Sequence, residues 1–227
     1  STVKVLDVQP FQEGLQRNIE MLNRLEAEMA VIEQTVEGLV AMEETFKGQG
    51  GAAIRAFYQE CHLPFLQFFK AFKNSFSDCL SRMATALHTF EPHQLGYIRQ
   101  DFLEGEIQQG LDIIEQMTES LTTEANNLMD SVADIVHLPH LDDSIVQDSI
   151  IDGERRRDDT IEGLIEFDQS QTSALTTVAT DLMVMDRWII DIESMMTEGL
   201  ADVNFPAEAW KAVTSRHPLQ LSLAARN

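Results

Sequence analysis

Apolar side chains recur at steps of three and four along most of the chain, the spacing that keeps them on one face of an α-helix. The first series is Phe11, Leu15, Ile19, Leu22, Leu25, Met29, Ile32, Val36 and Leu39. It predicts one helix of about 33 residues, roughly 50 Å long, with Asp7 as N-cap and Pro10 in the first turn. Three glycines within four residues, Gly48, Gly50 and Gly51, then interrupt sequence that is helix-forming on both sides. Glycine reaches positive φ without steric cost, so a chain leaving one helix at Thr45 or Phe46 is expected to reverse there and enter another near Ala52.

An aromatic stripe comes next: Phe65, Phe69, Phe72 and Phe76, continued by Leu80, Met83, Leu87 and Phe90, with Phe57 and Tyr58 just before it. Pro64 lacks a backbone donor and should kink or break this helix near Glu60. The run Phe65, Leu66, Phe68 and Phe69 is apolar on more than one face, which calls for two neighbours or a partner chain. Core packing is the simpler reading of phenylalanine at helical spacing, and the two are compatible if the core is shared between chains. The face assigned to a partner is Phe57, Phe65, Phe69, Phe72, Phe76, Leu80 and Met83.

A third helix is expected from near Leu95, with a stripe of Leu103, Ile107, Leu111, Ile114, Met117, Leu121, Ala125, Leu128, Val132 and Ile135. His137 to Asp143 break the pattern, and Asp143 or Ser144 can cap the next helix. The last helical region runs from Ser144 to about Leu200, with a solvated stretch between Asp152 and Thr160 that is either a polar helix face or a short interruption. The pattern stops at Phe205 and Pro206. The expected fold is therefore all-α, an elongated bundle of long antiparallel helices with no sheet. Residues 1–204 form one helical domain, a hairpin over 8–90 turning near 46–52 and a second over 95–203 breaking near 137–143. Residues 205–227 read as a tail, a linker start or added residues.

Charge narrows the partners. The formal net charge is −22. Residues 1–100 carry nine basic and twelve acidic side chains, 101–204 four and twenty-five, and 205–227 three and one. Such acidity argues against nucleic acid or an anionic membrane as a direct partner, since both require phosphate to be neutralised by Lys and Arg. Cys61 and Cys79 lie roughly 27 Å apart along one straight helix and cannot pair within it. That points to a reducing compartment, or to export without oxidative folding. The first residues lack the features of a cleaved secretory signal, and no apolar run approaches the ~18 residues of a membrane span.

Candidate chemistry is sparse. Carboxylates on acidic helices are most simply solvated faces. None of the six histidines has Glu three positions before it, as a di-iron bundle would want. His137, His140, Asp142 and Asp143 form the one cluster able to hold a metal, and its spacing is not that of a zinc site. No nucleophile elbow, phosphate-binding loop, dinucleotide fingerprint or Cys-x-x-Cys is present. No cofactor, metal or catalytic residue is assigned.

Taken together, the start Val5 to Val8, the long amphipathic helix and the stretch Phe46 to Tyr58 resemble the LXG domain, the N-terminal module of polymorphic toxins exported by the type VII secretion system of Gram-positive bacteria. The resemblance runs from about Val3 to Phe205. Where the family's naming motif has Leu-x-Gly, this chain has Phe46, Lys47 and Gly48, which keeps an apolar anchor before the turning glycine. The resemblance implies a non-catalytic export and targeting module, similar in logic to WXG-type helical hairpins. Such a module binds small helical partner proteins made beside it and engages the type VII machinery. It is made in the cytoplasm and secreted without a cleaved signal peptide, with any enzymatic toxin activity in a further C-terminal domain. Tyr97 and Asp101 match the Tyr-x-x-x-Asp pattern associated with type VII export signals. The alternative is a helical membrane-active, pore-forming toxin, in which Lys70, Lys73 and Asp78 would interrupt the inserting segment.

Overall fold

The computed structural model describes residues 2–226; Ser1 and Asn227, the outermost residues of the two assigned ranges, lie outside them. The fold is an all-α bundle. Its helices are α1 Val8–Val40, α2 Gly48–Phe57, α3 Leu63–Phe90, the short α4 Gln100–Phe102, α5 Gln108–Ser131, α6 Ser144–Ala174, α7 Thr176–Thr197, α8 Ala207–Thr214 and α9 Pro218–Arg226. The long helices α1 and α3 fall where the periodicity puts them, the last helical region is divided at Leu175 into α6 and α7, and the polar stretch between Asp152 and Thr160 is continuous helix. One detail departs from the expectation of no sheet. Strands β1 Val5–Asp7 and β2 Tyr97–Arg99 pair antiparallel, with Leu6 opposite Ile98. Three residues per strand are too few to show a period of two, so the pairing leaves no mark in the pattern.

The chain divides into two compact units, and neither matches the two expected hairpins. The first unit comprises residues up to Phe11 together with Ala86–Ser170. Its core is Leu6, Val8, Leu87 and Leu164, wrapped by Phe11, Phe90, Ile98 and Phe167. Phe90 stacks on Phe167 at 5.7 Å, and Phe11 tilts against the same ring at 5.9 Å. The two-stranded ribbon is locked at both ends, by Val8 N–H donating to Gly96 O and Gln100 N–H donating to Lys4 O, each at 3.0 Å. The third helix thus starts at Gln100, after β2, rather than near Leu95.

The pattern breaks from Val132, earlier than the expected 137, and the segment to Asp143 is pinned to α5 by side chains. Leu141 N–H donates to Asn126 Oδ1 at 2.8 Å, and His140 Nε2 lies 2.7 Å from Asp130 Oδ1. Asp143 occupies the position before α6, its carbonyl accepting from Val146 and Gln147.

The second unit comprises Gln12–Thr85 and the residues from Gln171. Its turn falls at residues 41–47, before the glycines rather than on them. Gly48 opens α2 with φ +73°, a conformation glycine adopts freely. Gly51 is helical, and a Cβ there would fall on the backbone carbonyl of Phe46. The glycines therefore serve the close return of the turn over the first turn of α2.

The kink expected near Glu60 is a π-helical turn, Tyr58–His62. Leu63 N–H donates to Tyr58 O across it. Pro64 has no N–H, so the Glu60 carbonyl loses the donor an α-helix would supply. Two indoles serve this turn: Trp210 Nε1–H donates to Glu60 O at 3.2 Å and Trp188 Nε1–H to Cys61 O at 2.9 Å. Trp210 belongs to residues that the sequence pattern presents as a tail or linker start. Those residues instead form α8 and α9 and bury Phe205, Trp210, Thr214, His217 and Leu219. Helices of eight and nine residues are too short to display a stripe.

Candidate functional site

The aromatic stripe of α3 is largely consumed in the protein's own core. Phe57, Phe69, Phe72, Leu80 and Met83 are buried, and only Phe65 and Phe76 are partly accessible. Most of the residues assigned to a partner-binding face are thus covered within this chain, as the core reading of the stripe expects. The physical reason is that α1 and α7 both lie against it. Met21, Leu22, Leu25 and Met29 of α1 and Leu182, Met185 and Ile189 of α7 line one cavity of about 430 Å³ together with Phe65, Phe69, Phe72 and Phe76. Glu26 of α1 and Lys73 of α3 form an ion pair across the same helices. A second apolar cavity of about 280 Å³, lined by Met29, Ile32, Cys61, His62, Phe65 and Ile189 among others, adjoins the first through shared residues. Phe57 is turned away from both, edge-on to Phe205 at 5.5 Å.

A long apolar stripe remains open on α5, where no residue is buried. From Leu111 on, its half-covered positions are Leu111, Asp112, Glu115, Thr118, Thr122, Ala125, Asn126 and Met129, a largely polar face. Its apolar stripe points outward: Ile114 is 49% exposed, Met117 59%, Leu121 62% and Leu128 69%. Beyond it, Ile135, Leu138, Leu141, Ile145 and Ile151 are exposed as well. Sequence periodicity finds this stripe but cannot say that it stays uncovered.

The Phe46, Lys47, Gly48, Gly50 and Gly51 motif sits at the start of α2, where Lys47 pairs with Glu44 at 2.5 Å. Tyr97 and Asp101 do not share a helix face. Tyr97 is exposed on β2, and Asp101 is in the first turn after it. Arg99 Nε and Nη2 both donate to Asp101, at 3.1 and 2.5 Å, and that hydrogen bonding holds the carboxyl below its usual range.

Among the described residues no group of three or more His, Cys, Asp and Glu is arranged to hold a metal ion, and no helix is long and apolar enough to cross a membrane. A more polar cleft, about 460 Å³ in the first unit, sets Glu104, Asp158 and Glu162 beside Arg157, whose guanidinium is engaged by Asp158 at 2.6 Å. Both thiols are free. Burial pushes Cys61 up to about 12, and Cys79, also raised by burial, points its sulfur at Ala174 O, 3.6 Å away.

Comparison with known proteins places this geometry. The family model described as the LXG domain of the WXG superfamily matches residues 4–203. The chain is also 35% identical over 195 residues to a protein named Toxin YxiD from Bacillus subtilis (strain 168), an alignment covering 86% of this chain and 34% of that relative. The chain thus spans about a third of the relative's length. The family match stops just before Asn204, although α8 beyond it donates the Trp210 hydrogen bond to Glu60.

Proposed function

We propose, from the premise that this chain belongs to the LXG domain family of the WXG superfamily, that it is the export and targeting module of a secreted antibacterial toxin. The observation that carries this reading is the family match over residues 4–203, joined to a relative named as a toxin, of whose length the alignment covers 34%. The module itself is non-catalytic, and toxicity belongs to a further domain. It leaves the cytoplasm through the type VII machinery without a cleaved signal, escorted by small helical WXG-like partners encoded nearby. Tyr97 and Asp101 contribute to recognition by that machinery.

Exposed apolar surface supports the partner requirement. Helix-on-helix burial is the means by which a second chain covers such stripes. The test fuses a reporter to the C-terminus and expresses it in a Gram-positive strain with and without the type VII motor ATPase. Reporter in the medium only when the ATPase is intact is the expected result, and equal release from both strains refutes export by this route. Asp101→Ala is expected to reduce release while leaving the cellular level of the fusion unchanged.

A further inference from the structure

We infer that the outward face of α5 is the docking site for a basic amphipathic helix of a partner chain, an inference that rests on the partner-binding reading above and gives the partner its chemistry. Three observations carry it. The stripe Ile114, Met117, Leu121 and Leu128 is about half or more exposed at every position, whereas the face of α5 that is half-covered is mostly polar. The stripe extends over fifteen residues, a rise of about 21 Å, the length of a partner helix of about four turns. Most telling is the charge. Residues 108–151 contain nine Asp and Glu and no Lys or Arg, and Glu124 sits on the apolar face itself between Leu121 and Leu128.

That charge decides the occupant. A second copy would bring nine carboxylates against nine, and like charges across an interface oppose association. An anionic membrane is repelled for the same reason. A helix with Leu or Ile on one face and Lys or Arg along its flanks satisfies both demands, burying the stripe and neutralising its rim.

The test uses the whole chain and two synthetic 18-residue helical peptides with the same Leu/Ile face, one flanked by Lys and one by Glu, monitored by fluorescence anisotropy at low salt. The Lys-flanked peptide is expected to bind and the Glu-flanked one to bind at least tenfold more weakly. Raising sodium chloride from 50 to 500 mM should weaken the former about tenfold, because exposed charges are screened. Met117→Glu with Leu121→Glu should cost at least tenfold, with helicity unchanged since both side chains are solvent-facing. Val31→Glu, an exposed apolar position on α1, should cost nothing.

Equal binding of the two peptides, or equal losses from the α5 and α1 variants, overturns the proposal. So does a dimer in sedimentation that Leu121→Glu dissociates, which would assign the face to a second copy. Co-purification with the small helical protein encoded beside the gene separates the two readings. If it persists with Met117→Glu/Leu121→Glu, the α5 site fails and partner binding stands. If the partner never co-purifies with the wild type while the Lys-flanked peptide binds α5, the partner reading fails and the surface stands.

Discussion

Pro64 and Trp210 lie far apart in sequence, yet the geometry makes one the reason for the other. Glu60 O would accept from the amide of residue 64 in a regular helix, and proline removes that amide. The indole of Trp210 takes its place at 3.2 Å. Trp210→Phe therefore orphans a partly buried carbonyl, at about 1–3 kcal/mol. It also removes ring atoms that pack edge-on to Trp188 at 5.5 Å, which adds about 1 kcal/mol. In a Pro64→Ala background the helix regains an amide for Glu60, and Trp210→Phe should then cost only the packing part. The coupling between the two substitutions is expected to be about 1–2 kcal/mol. The assay is urea unfolding monitored by Trp188 emission, the remaining indole in the second unit after Trp210→Phe. With a slope of about 2 kcal/mol per molar urea, that coupling is a difference of roughly 0.5–1 M in the midpoint shifts. Equal costs in the two backgrounds, within ~0.4 kcal/mol, would refute the idea that the missing proline donor is what the indole replaces.

Three further outcomes are expected. Gly51→Ala should destabilise the second unit by about 2 kcal/mol or more, because the new Cβ meets the Phe46 carbonyl, whereas the same change in an open helix stabilises by up to about 1 kcal/mol; a raised urea midpoint would refute the close approach. Burial lowers the pKa of His62 and of His217, so the unfolded chain binds more protons in the window below about 6.5. Their contribution to stability is present above that pH and lost as pH falls toward the folded values; His62→Gln should flatten the decline of the urea midpoint between pH 7 and 5 relative to wild type. Iodoacetamide at pH 8 should alkylate Cys79 well before Cys61, whose buried thiol is held up at about 12, and equal rates by mass spectrometry would contradict the burial of Cys61.

Element length decides how much of the fold is legible in the sequence. A helix of 33 residues repeats its apolar step often enough to be read directly, and α1 has that length. Pro64 announces a backbone disturbance at Glu60, since a missing donor can be located from sequence alone. The repair is not legible, because nothing in the order of residues links Trp210 to Glu60 across 150 positions. Short elements fare worst. The three-residue strands and the helices α8 and α9 are held by contacts remote in sequence, such as Leu6 opposite Ile98, or Trp210 Nε1–H donating to Glu60 O at 3.2 Å. The pair Phe205 and Trp210, aromatic residues in a stretch otherwise resembling a tail, is the available signal that the region folds. The tasks within the glycine motif are only partly legible: Gly48 has the positive φ expected of a turning glycine, whereas Gly51 serves a close approach, and the two look alike in sequence.

The same limit applies to the candidate site, with more consequence. The stripes of α3 and α5 are equally regular, yet one is core and the other faces solvent. Periodicity states that a face will be covered, not what covers it. What separates the two stripes is the charge around them. The α3 stripe meets α1 through a matched pair, Glu26 with Lys73, so the chain can close on itself there. Residues 108–151 hold nine acids and no Lys or Arg, so no element within that stretch can offer α5 an apolar face with a compensating rim. The structure answers by turning a largely polar face of α5 inward, where Asn126 holds the connecting segment through Leu141, and leaving the apolar stripe open. For this chain the charge distribution is therefore a better guide to which stripe stays exposed than the aromatic content. On the docking proposal made above, it points to the isoleucine, methionine and leucines of α5 as a partner surface beside the phenylalanines of α3.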